Sequence, residues 1–270
     1  EILKLVEPYD VKSLGHMSGE YVHLLALATR QALTDGDRWV SDPDFDHVPV
    51  TALLSDEWID SARTQLMTDS VPARMTPLDS TLAFKNGNTT HLVVVDSAGN
   101  LVSLTQSINY FFGSGEMIPE YGLLLNNHMA DFTYDSTGAG ALAPLHRPRS
   151  NMAPTIVRRD GRPVLVIGSP GGPRIAATLA QVLIDVLDFG MSLDEAMNAP
   201  RFFPVRQTLA VESRISDSTL ASLQAKGWKI QPLGSISSYF GGVHAIQIQS
   251  VTGTLVGAAD PRRDGAPAGY

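Results

Sequence analysis

Cysteine is absent from the 270 residues. Disulfide bonds, thiolate metal sites and a cysteine nucleophile are therefore excluded, but the compartment is not fixed, because proteins of oxidising and reducing compartments can both lack cysteine. The chain also contains no apolar run of about 18 residues, so we predict no membrane-spanning helix. No secretion signal is visible, and because the chain begins with Glu1 and not Met, we expect a fragment or a processed chain.

Motifs for nucleotide cofactors and for zinc are missing as well. The chain has no G-x-G-x-x-G, P-loop or G-x-S-x-G pattern, and the glycine-rich GSPGG at 168–172 lacks the lysine of a P-loop. The seven histidines are not paired at the short spacing of metal ligands. We therefore predict neither a cofactor nor a metal site. A net charge of −8 disfavours nucleic acid or an anionic membrane surface as the main partner.

The sequence does contain a helical first part, followed by mixed strand and helix patterns. Residues 20–36 and 173–189 have apolar side chains at helical spacing, and Gly36 is interpreted as the C-terminal cap of the first helix. Ser55 is placed to cap a further helix, and SLDE at 192–195 has the form of a capping box. Pairs of β-rich runs around short turns predict three hairpins, at residues 91–107, 155–168 and 244–259. The first hairpin is mostly Val and Leu, which predicts burial on both faces. This order indicates layered α and β elements.

The stretch KNGNTTHLVVVD places two threonines at the start of a predicted strand, directly after a polar, proline-broken segment at 68–88 that is interpreted as an exposed linker. A threonine hydroxyl is a weak nucleophile unless a base lies beside it, and its own free α-amine is such a base. That amine has a reference pKa of about 8 and can accept a proton at neutral pH. Thr89 would meet these conditions after cleavage of the bond before it. A Thr-Thr pair before a strand also has a purely structural explanation.

Three kinds of polar segment could complete a site around such a nucleophile. Gly171 and Gly172 in GSPGG could direct N–H groups toward an oxyanion, or form only a tight strand-to-helix turn. Asn, Asp and Ser side chains for the charged ends of a substrate occur in SIN at 107–109, LLNNHMADF at 124–132 and RPRSNMAPT at 147–155. Each of these segments is equally compatible with ordinary turn chemistry.

Taken together and in this order, seven segments resemble the γ-glutamyltranspeptidase family along nearly the whole chain. DGDRWVSDPDF, followed by VPV and LLS, is similar to the end of that family's large subunit, and TTHLVVVDSAGN to the start of its small subunit. The others are GSGEMIPEYGLLLNNHMADF, RPRSNMAPT, GSPGG, EAMNAPRF and ADPRRDGAPAGY. The resemblance implies an α+β fold, the four-layer αββα sandwich of N-terminal nucleophile hydrolases, of which this chain would be only part. It also implies a large-subunit-like region at 1–88 and a catalytic, small-subunit-like region at 89–270.

The resemblance further implies roles for single residues. Thr89 would be the nucleophile, freed by autocatalytic cleavage of the Asn88–Thr89 bond, and the Ser107 hydroxyl would assist it. Gly171 and Gly172 match the oxyanion-hole pair. The residues that match the substrate site are Asn109, His128 and Asp131 near the α-amine, and Ser150 and Asn151 near the α-carboxylate.

Several departures from the family's usual pattern leave the acyl donor open. His128 stands where the family commonly has glutamine, Asn151 where it has a second serine, and Ser107 where it has a threonine. Tyr110 follows Asn109 at a position where a small polar residue is frequent. A neutral histidine can still accept a hydrogen bond from an amine, and asparagine can still donate to a carboxylate. Acyl transfer therefore stays the prediction, while the preference for a γ-glutamyl group stays open.

The activity that the resemblance implies is hydrolysis and acyl transfer on γ-glutamyl compounds such as glutathione, with water, an amino acid or a peptide as acceptor. It also implies a partner, the upstream large-subunit segment that carries an arginine for the α-carboxylate. It favours a periplasmic or extracellular location and leaves the cytoplasm open. Two alternatives remain: a related acylase, such as a β-lactam acylase or a poly-γ-glutamate transpeptidase, and a catalytically silent subunit. Cleavage at Asn88–Thr89 would argue against the silent subunit.

Overall fold

A computed structural model describes residues 1–66, 68, 70–72, 87–249 and 252–270. Its helices are α1 (Ile2–Val6), α2 (Val11–Leu14), α3 (Gly19–Trp39), α4 (Val50–Leu53), α5 (Asp56–Leu66), α6 (Ile175–Leu187), α7 (Leu193–Asn198) and α8 (Asp217–Ala225). Its strands are β1 (Gly87–Val95), β2 (Leu101–Tyr110), β3 (Met117–Ile118), β4 (Leu123–Leu124), β5 (Thr155–Arg159), β6 (Arg162–Gly168), β7 (Phe202–Val205), β8 (Thr208–Val211), β9 (Lys229–Pro232), β10 (His244–Ile248) and β11 (Leu255–Ala259). Short 3₁₀ helices lie at His128–Asp131, Gly172–Arg174 and Ser238–Phe240.

The chain forms two compact units, and each unit is assembled from three separate segments. Unit 1 consists of Glu1–Phe84, His128–Ser150 and Phe202–Leu233. Unit 2 consists of Lys85–Asn127, Asn151–Arg201 and Gly234–Tyr270. The predicted regions 1–88 and 89–270 are defined by cleavage of the Asn88–Thr89 bond, and this division stays a prediction. Most of the predicted linker at 68–88 lies outside the described residues, and its last two residues, Gly87 and Asn88, belong to β1.

Unit 1 is organised around the long helix α3. Ser18 begins this helix, because its Oγ accepts a hydrogen bond from the Tyr21 N–H at 3.0 Å. The helix contacts α1, α5, α8 and β7, and its middle turns are buried. The buried imidazole of His23 accepts a hydrogen bond at Nδ1 from Trp228 Nε1 at 2.9 Å, which fixes the helix next to β9. The sheet of this unit has the order β7-β8-β9.

The predicted end of the first helix at Gly36 is wrong. Helix α3 continues to Trp39 and ends where Val40 becomes extended, with the Val40 N–H still bonded to the Gly36 carbonyl at 3.0 Å. A glycine usually ends a helix by taking the left-handed conformation, and Gly36 does not take it. The capping role of Ser55 is confirmed, since its Oγ accepts from the Trp58 N–H at 3.3 Å in the first turn of α5.

Unit 2 is layered, with a hairpin, a four-stranded sheet and helices in that order. The β1–β2 hairpin contacts an antiparallel sheet of order β11-β10-β6-β5. Leu165 and Ile167 of β6 pack against α6 and α7, while Gly168 faces the hairpin, as the alternation of a strand requires. The predicted hairpins and the capping box of Ser192 and Glu195 are all confirmed. No helix in the described part of the chain has the length and apolar character needed to cross a bilayer.

The outer face of the β1–β2 hairpin is apolar and exposed. Leu92, Val94, Val102 and Leu104 are each between 43% and 50% exposed, whereas the inner positions are buried or half-buried. The expectation of burial on both faces therefore holds within this chain for the inner face only. An exposed row of four large aliphatic side chains is typical of a surface that another polypeptide covers.

Candidate active site

The predicted nucleophile Thr89 lies in β1 directly opposite Ser107 of β2. The turn that sets this register is fixed by Asp96, whose Oδ1 accepts hydrogen bonds from the N–H groups of Ala98 and Asn100 at 2.9 and 2.8 Å. Thr89 is 8% exposed, and its Oγ1 lies 2.9 Å from Ser107 Oγ. The hairpin thus places the hydroxyl of this threonine against a second hydroxyl, while the next residue in β1 faces outward and is exposed.

Asn109 continues this cluster through an unusual backbone conformation. Its φ is 70°, a left-handed value that asparagine tolerates better than most side chains. Its N–H donates to Ser107 Oγ at 3.0 Å, and its Nδ2 donates to the Asn127 carbonyl at 3.4 Å. The Asn127 Oδ1 in turn accepts from the Tyr110 N–H at 3.0 Å. Asn127 was not predicted as a site residue; the only sequence signal for it is the Asn-Asn pair in LLNNHMADF.

The predicted oxyanion pair forms the turn between β6 and α6. Gly171 and Gly172 have φ values of 144° and 57°, which L side chains rarely adopt, so this turn requires glycine at both positions. Ser169 supports the turn from within, since its Oγ donates to the Pro170 carbonyl at 2.6 Å and accepts from the Gly242 N–H at 3.2 Å. Both glycines belong to unit 2, as Thr89 does. Their role in binding an oxyanion stays a prediction.

The predicted amine-binding residues His128 and Asp131 share one 3₁₀ turn of unit 1. His128 Nδ1 lies 2.9 Å from Asp131 Oδ2, and both side chains are about three-quarters buried. When Nδ1 carries the proton and donates to the carboxylate, a neutral His128 keeps Nε2 as an acceptor. Ser150 and Asn151 are exposed; Ser150 is the last residue of a segment of unit 1, and Asn151 is the first residue of the following segment of unit 2. Within the described ranges, no three His, Cys, Asp or Glu side chains are grouped so as to hold a metal ion.

An ion pair that the sequence did not predict anchors the segment before Ser150. Arg147 Nε and Nη2 donate to the two carboxylate oxygens of Asp42 at 3.0 and 2.6 Å, and the Arg147 N–H adds a third bond at 2.7 Å. Arg147 also bonds to Asp44, and Arg149 pairs with Asp37 at 2.9 Å. These hydrogen bonds hold the pKa of Asp42 well below its usual range. Arg147 and Arg149, the cationic residues nearest to Ser150 in the sequence, are therefore already paired with carboxylates.

Asp42→Asn is expected to lower the thermal midpoint of unfolding by several degrees at pH 7, because it removes the charge and weakens a bidentate pair. A carboxylate with a depressed pKa stabilises the fold above the ordinary aspartate pKa of about 3.9, and this contribution is lost as the pH falls further. The difference between the two proteins should therefore narrow in thermal melts at pH 3. Asp44→Asn is the matched control, since the Asp44 side chain is 70% exposed and that of Asp42 only 1%. An equal difference at both pH values would contradict this assignment.

Comparison with known proteins identifies the family. The profile described as Gamma-glutamyltranspeptidase matches residues 1–270. The glutathione hydrolase proenzyme of Escherichia coli K12 is 37% identical over all of this chain and 48% of its own length. The structure of a cephalosporin acylase from Bacillus halodurans matches the whole chain and 48% of its own at 27% identity, with a TM-score of 0.88. The γ-glutamyltranspeptidase of Pseudomonas nitroreducens, solved with L-DON, matches 67% of this chain and 99% of its own at 33% identity, with a TM-score of 0.61.

These matches confirm both the predicted family and the predicted fold. The mixed α and β layers of the chain form part of the N-terminal nucleophile hydrolase fold of those two structures. The chain spans about half the length of the curated relatives it matches. The profile match over all 270 residues and the 37% identity to the glutathione hydrolase proenzyme establish that this chain belongs to the γ-glutamyltranspeptidase family.

Proposed function

We propose that this chain is part of an enzyme that transfers or hydrolyses γ-glutamyl groups through an acyl-enzyme on Thr89. The observation that carries the proposal is the 2.9 Å contact between the buried Thr89 Oγ1 and Ser107 Oγ near the start of β1, in a chain of this family. Ser107 Oγ accepts from the Asn109 N–H and has one proton to give. Donation of that proton to Thr89 Oγ1 would stabilise negative charge on the nucleophile.

Maturation precedes catalysis in this proposal. The Thr89 hydroxyl attacks the carbonyl carbon of Asn88, the C–N bond breaks, and the acyl group moves from nitrogen to oxygen as an ester. The nitrogen takes up the hydroxyl proton in this shift and becomes the free α-amine of Thr89. Water then hydrolyses the ester, which releases a carboxylate on Asn88 and restores the Thr89 hydroxyl. The Asn88 carbonyl oxygen lies 3.5 Å from Ser107 Oγ, so the same hydroxyl lies near both reacting groups.

Acyl transfer then uses the new α-amine as the base. As Thr89 Oγ attacks the γ-carbonyl of the donor, the amine takes the hydroxyl proton and passes it to the departing amine. The ester on Thr89 is resolved by water or by an amino acceptor, which gives hydrolysis or transfer. The N–H groups of Gly171 and Gly172 would bind the oxyanion of each tetrahedral intermediate.

Recognition of the donor's charged end is assigned to the remaining predicted residues. Asp131 supplies the negative charge that a cationic α-amine needs, with Asn109 and His128 as further partners. Ser150 and Asn151 would donate to the α-carboxylate. No cofactor takes part in this scheme.

The upstream half of the protein is proposed as the necessary partner of this chain. The chain spans about half of its relatives, and the outer face of its nucleophile hairpin exposes Leu92, Val94, Val102 and Leu104. Burial of such a face against a second layer is the usual source of stability in layered folds. The upstream half would also supply a cation for the α-carboxylate.

A related acylase is the alternative that a specific observation favours. The cephalosporin acylase of B. halodurans matches the whole chain with a TM-score of 0.88, and His128 departs from the glutamine common in the family. A pocket for an acyl group without an α-amine would need no carboxylate at Asp131. The presence of an aspartate at position 131 therefore favours a γ-glutamyl donor.

The deciding experiment measures turnover of γ-glutamyl-p-nitroanilide and glutaryl-p-nitroanilide by the full-length protein and, in parallel, by this chain alone. The glutaryl compound lacks only the α-amine. We expect at least a tenfold higher kcat/KM for the γ-glutamyl donor, because a hydrogen bond to a charged group contributes about 1.5–3 kcal/mol. The chain alone should be less active than the full-length protein.

Other outcomes of this comparison are equally informative. Equal kcat/KM values for the two donors, or a higher value for the glutaryl donor, would favour the acylase function. A full-length protein that turns over neither donor and keeps an uncut Asn88–Thr89 bond would favour a silent subunit. The retention of Thr89, Gly171 and Gly172 argues against that outcome.

A further inference from the structure

His91 stands two residues after Thr89 in β1, so both side chains point to the inner face of the hairpin. The residue is only 3% exposed. Its ring enters the space between the hairpin and the four-stranded sheet. A buried imidazole needs a partner for each ring nitrogen, and the partners here belong to the strand that pairs with the nucleophile strand.

The hydrogen bonds of the ring assign its tautomer. His91 Nδ1 lies 2.8 Å from Thr105 Oγ1, and His91 Nε2 lies 3.4 Å from Ser103 Oγ. Ser103 Oγ donates its only proton to the Ile167 carbonyl of β6 at 3.1 Å, so it accepts from the imidazole. The proton is therefore on Nε2, and Nδ1 accepts from the Thr105 hydroxyl. The ring thus ties β1 to β2 and, through Ser103, to β6.

The ring also fills the space in front of Gly168, the last residue of β6. A Cβ atom at Gly168 would lie 2.1 Å from His91 Cε1, 2.4 Å from Nε2 and 2.5 Å from Nδ1. These distances are far below van der Waals contact, so the ring and the backbone of β6 touch directly. Gly168 is three residues before Gly171, so the ring packs against the end of the strand that leads into that turn.

The main chain of His91 is held as well. His244 of β10, which pairs with Gly168 in the sheet, donates from Nδ1 to the His91 carbonyl at 2.6 Å. The two rings lie 6.5 Å apart and nearly parallel. Burial and the neighbouring His244 lower the pKa of His91 to about 4, so the ring is neutral at pH 7 and its directional bonds persist.

We infer that His91 is a positioning residue that holds the nucleophile strand in register with the turn carrying Gly171 and Gly172. The inference rests on the proposed role of Thr89, and His91 acts through that residue. Acyl transfer needs the nucleophile and the oxyanion donors in a fixed mutual geometry, and an error of about 1 Å can cost about 10²-fold in rate. A side chain of β1 that contacts both β2 and β6 is suited to fix that geometry.

The first test replaces His91 in the full-length protein and measures kcat and KM for γ-glutamyl-p-nitroanilide, with kcat normalised to the fraction of chains that begin at Thr89. His91→Ala should lower kcat by about 10²-fold and change KM much less, because the donor's charged end is bound elsewhere. His91→Asn keeps an acceptor for the Thr105 hydroxyl and should recover part of the loss. His23→Asn is the matched control, another buried histidine with a hydrogen-bonded partner, and should lower the melting temperature without lowering normalised kcat.

The outcomes separate this inference from the proposed function. An unmodified protein without turnover would overturn the role of Thr89 itself. The positioning role would be overturned if the unmodified protein is active and the His91→Ala variant has the same normalised kcat. It would also be overturned if kcat and KM of the variant changed by the same factor. Should His91→Ala fail to fold, the same comparison is made between His91→Asn and His23→Asn.

The second test uses the close contact at Gly168. Gly168→Ala places a methyl group within 2.1 Å of the imidazole and should lower normalised kcat at least as far as His91→Ala does. Combining Gly168→Ala with His91→Ala removes the clash, so the double variant should return to the level of His91→Ala alone. A fully active Gly168→Ala variant would show that this contact does not affect kcat. A double variant that combines the kcat losses of both single variants would show the same.

Discussion

Thr89→Ala is expected to abolish both the cleavage at Asn88–Thr89 and the turnover of γ-glutamyl-p-nitroanilide in the full-length protein. Without the hydroxyl there is no attack on the Asn88 carbonyl, and without that attack no α-amine is freed to act as a base. Removal of the nucleophile from a serine protease costs about 10⁶-fold in kcat, so a loss of at least about 10⁴-fold is expected. Intact mass and N-terminal sequencing measure the cleavage, and anilide hydrolysis measures the turnover.

Two further substitutions make the result specific to this hydroxyl. Thr89→Ser keeps a hydroxyl opposite Ser107 and should retain cleavage and part of the activity. Thr90→Ala is the matched control, because Thr90 is the adjacent threonine but is exposed on the outer face of the hairpin, and it should cleave and turn over normally. Cleavage that persists at residue 89 in Thr89→Ala, or turnover by an uncut chain, would remove Thr89 from the centre of the mechanism.

The resemblance to the family assigned Thr89 and Ser107 to one site, and local rules explain why their side chains meet in the structure. A short turn between two β-rich runs fixes the register of an antiparallel hairpin, and alternation then decides which of the two threonines faces inward. The capping interactions of Ser55 and of the Ser192–Glu195 box are equally local. Gly36 shows the limit of such rules, since a glycine near the end of a helical pattern is compatible with a cap and with a further turn of helix.

Contacts between distant segments could not be predicted in the same way. Asp42 and Arg147 are 105 residues apart, and nothing in either local pattern specifies the other. The sequence pattern shows His91 only as an ordinary inner position of a strand. Its contact with Gly168 forms only when the β1–β2 hairpin packs on the sheet that contains β6. The outer face of the hairpin is a third case, because the Val and Leu pattern predicts its burial and this chain leaves it exposed.

Ser107→Ala is expected to lower kcat by about 10²-fold or more, since loss of a single donor that stabilises developing charge typically costs about 10²–10³-fold. The substitution removes the bond to Thr89 Oγ1 at 2.9 Å and also the acceptor of the Asn109 N–H at 3.0 Å. Cleavage at Asn88–Thr89 should slow as well, because the same hydroxyl lies near the Asn88 carbonyl. Steady-state kinetics and the time course of cleavage in the full-length protein measure the two effects separately.

Ser107→Thr decides whether the hydroxyl or the space around it matters. Threonine restores the oxygen, adds one methyl group and is the residue that the family commonly carries here, so activity within a few-fold of the unmodified protein is expected. Ser97→Ala, in the exposed turn of the same hairpin, is the matched control and should change neither rate. A Ser107→Ala variant with unchanged kcat would mean that Thr89 is activated by its α-amine alone. Equal losses in the alanine and threonine variants would mean that packing at this position, and not the hydroxyl, sets the rate.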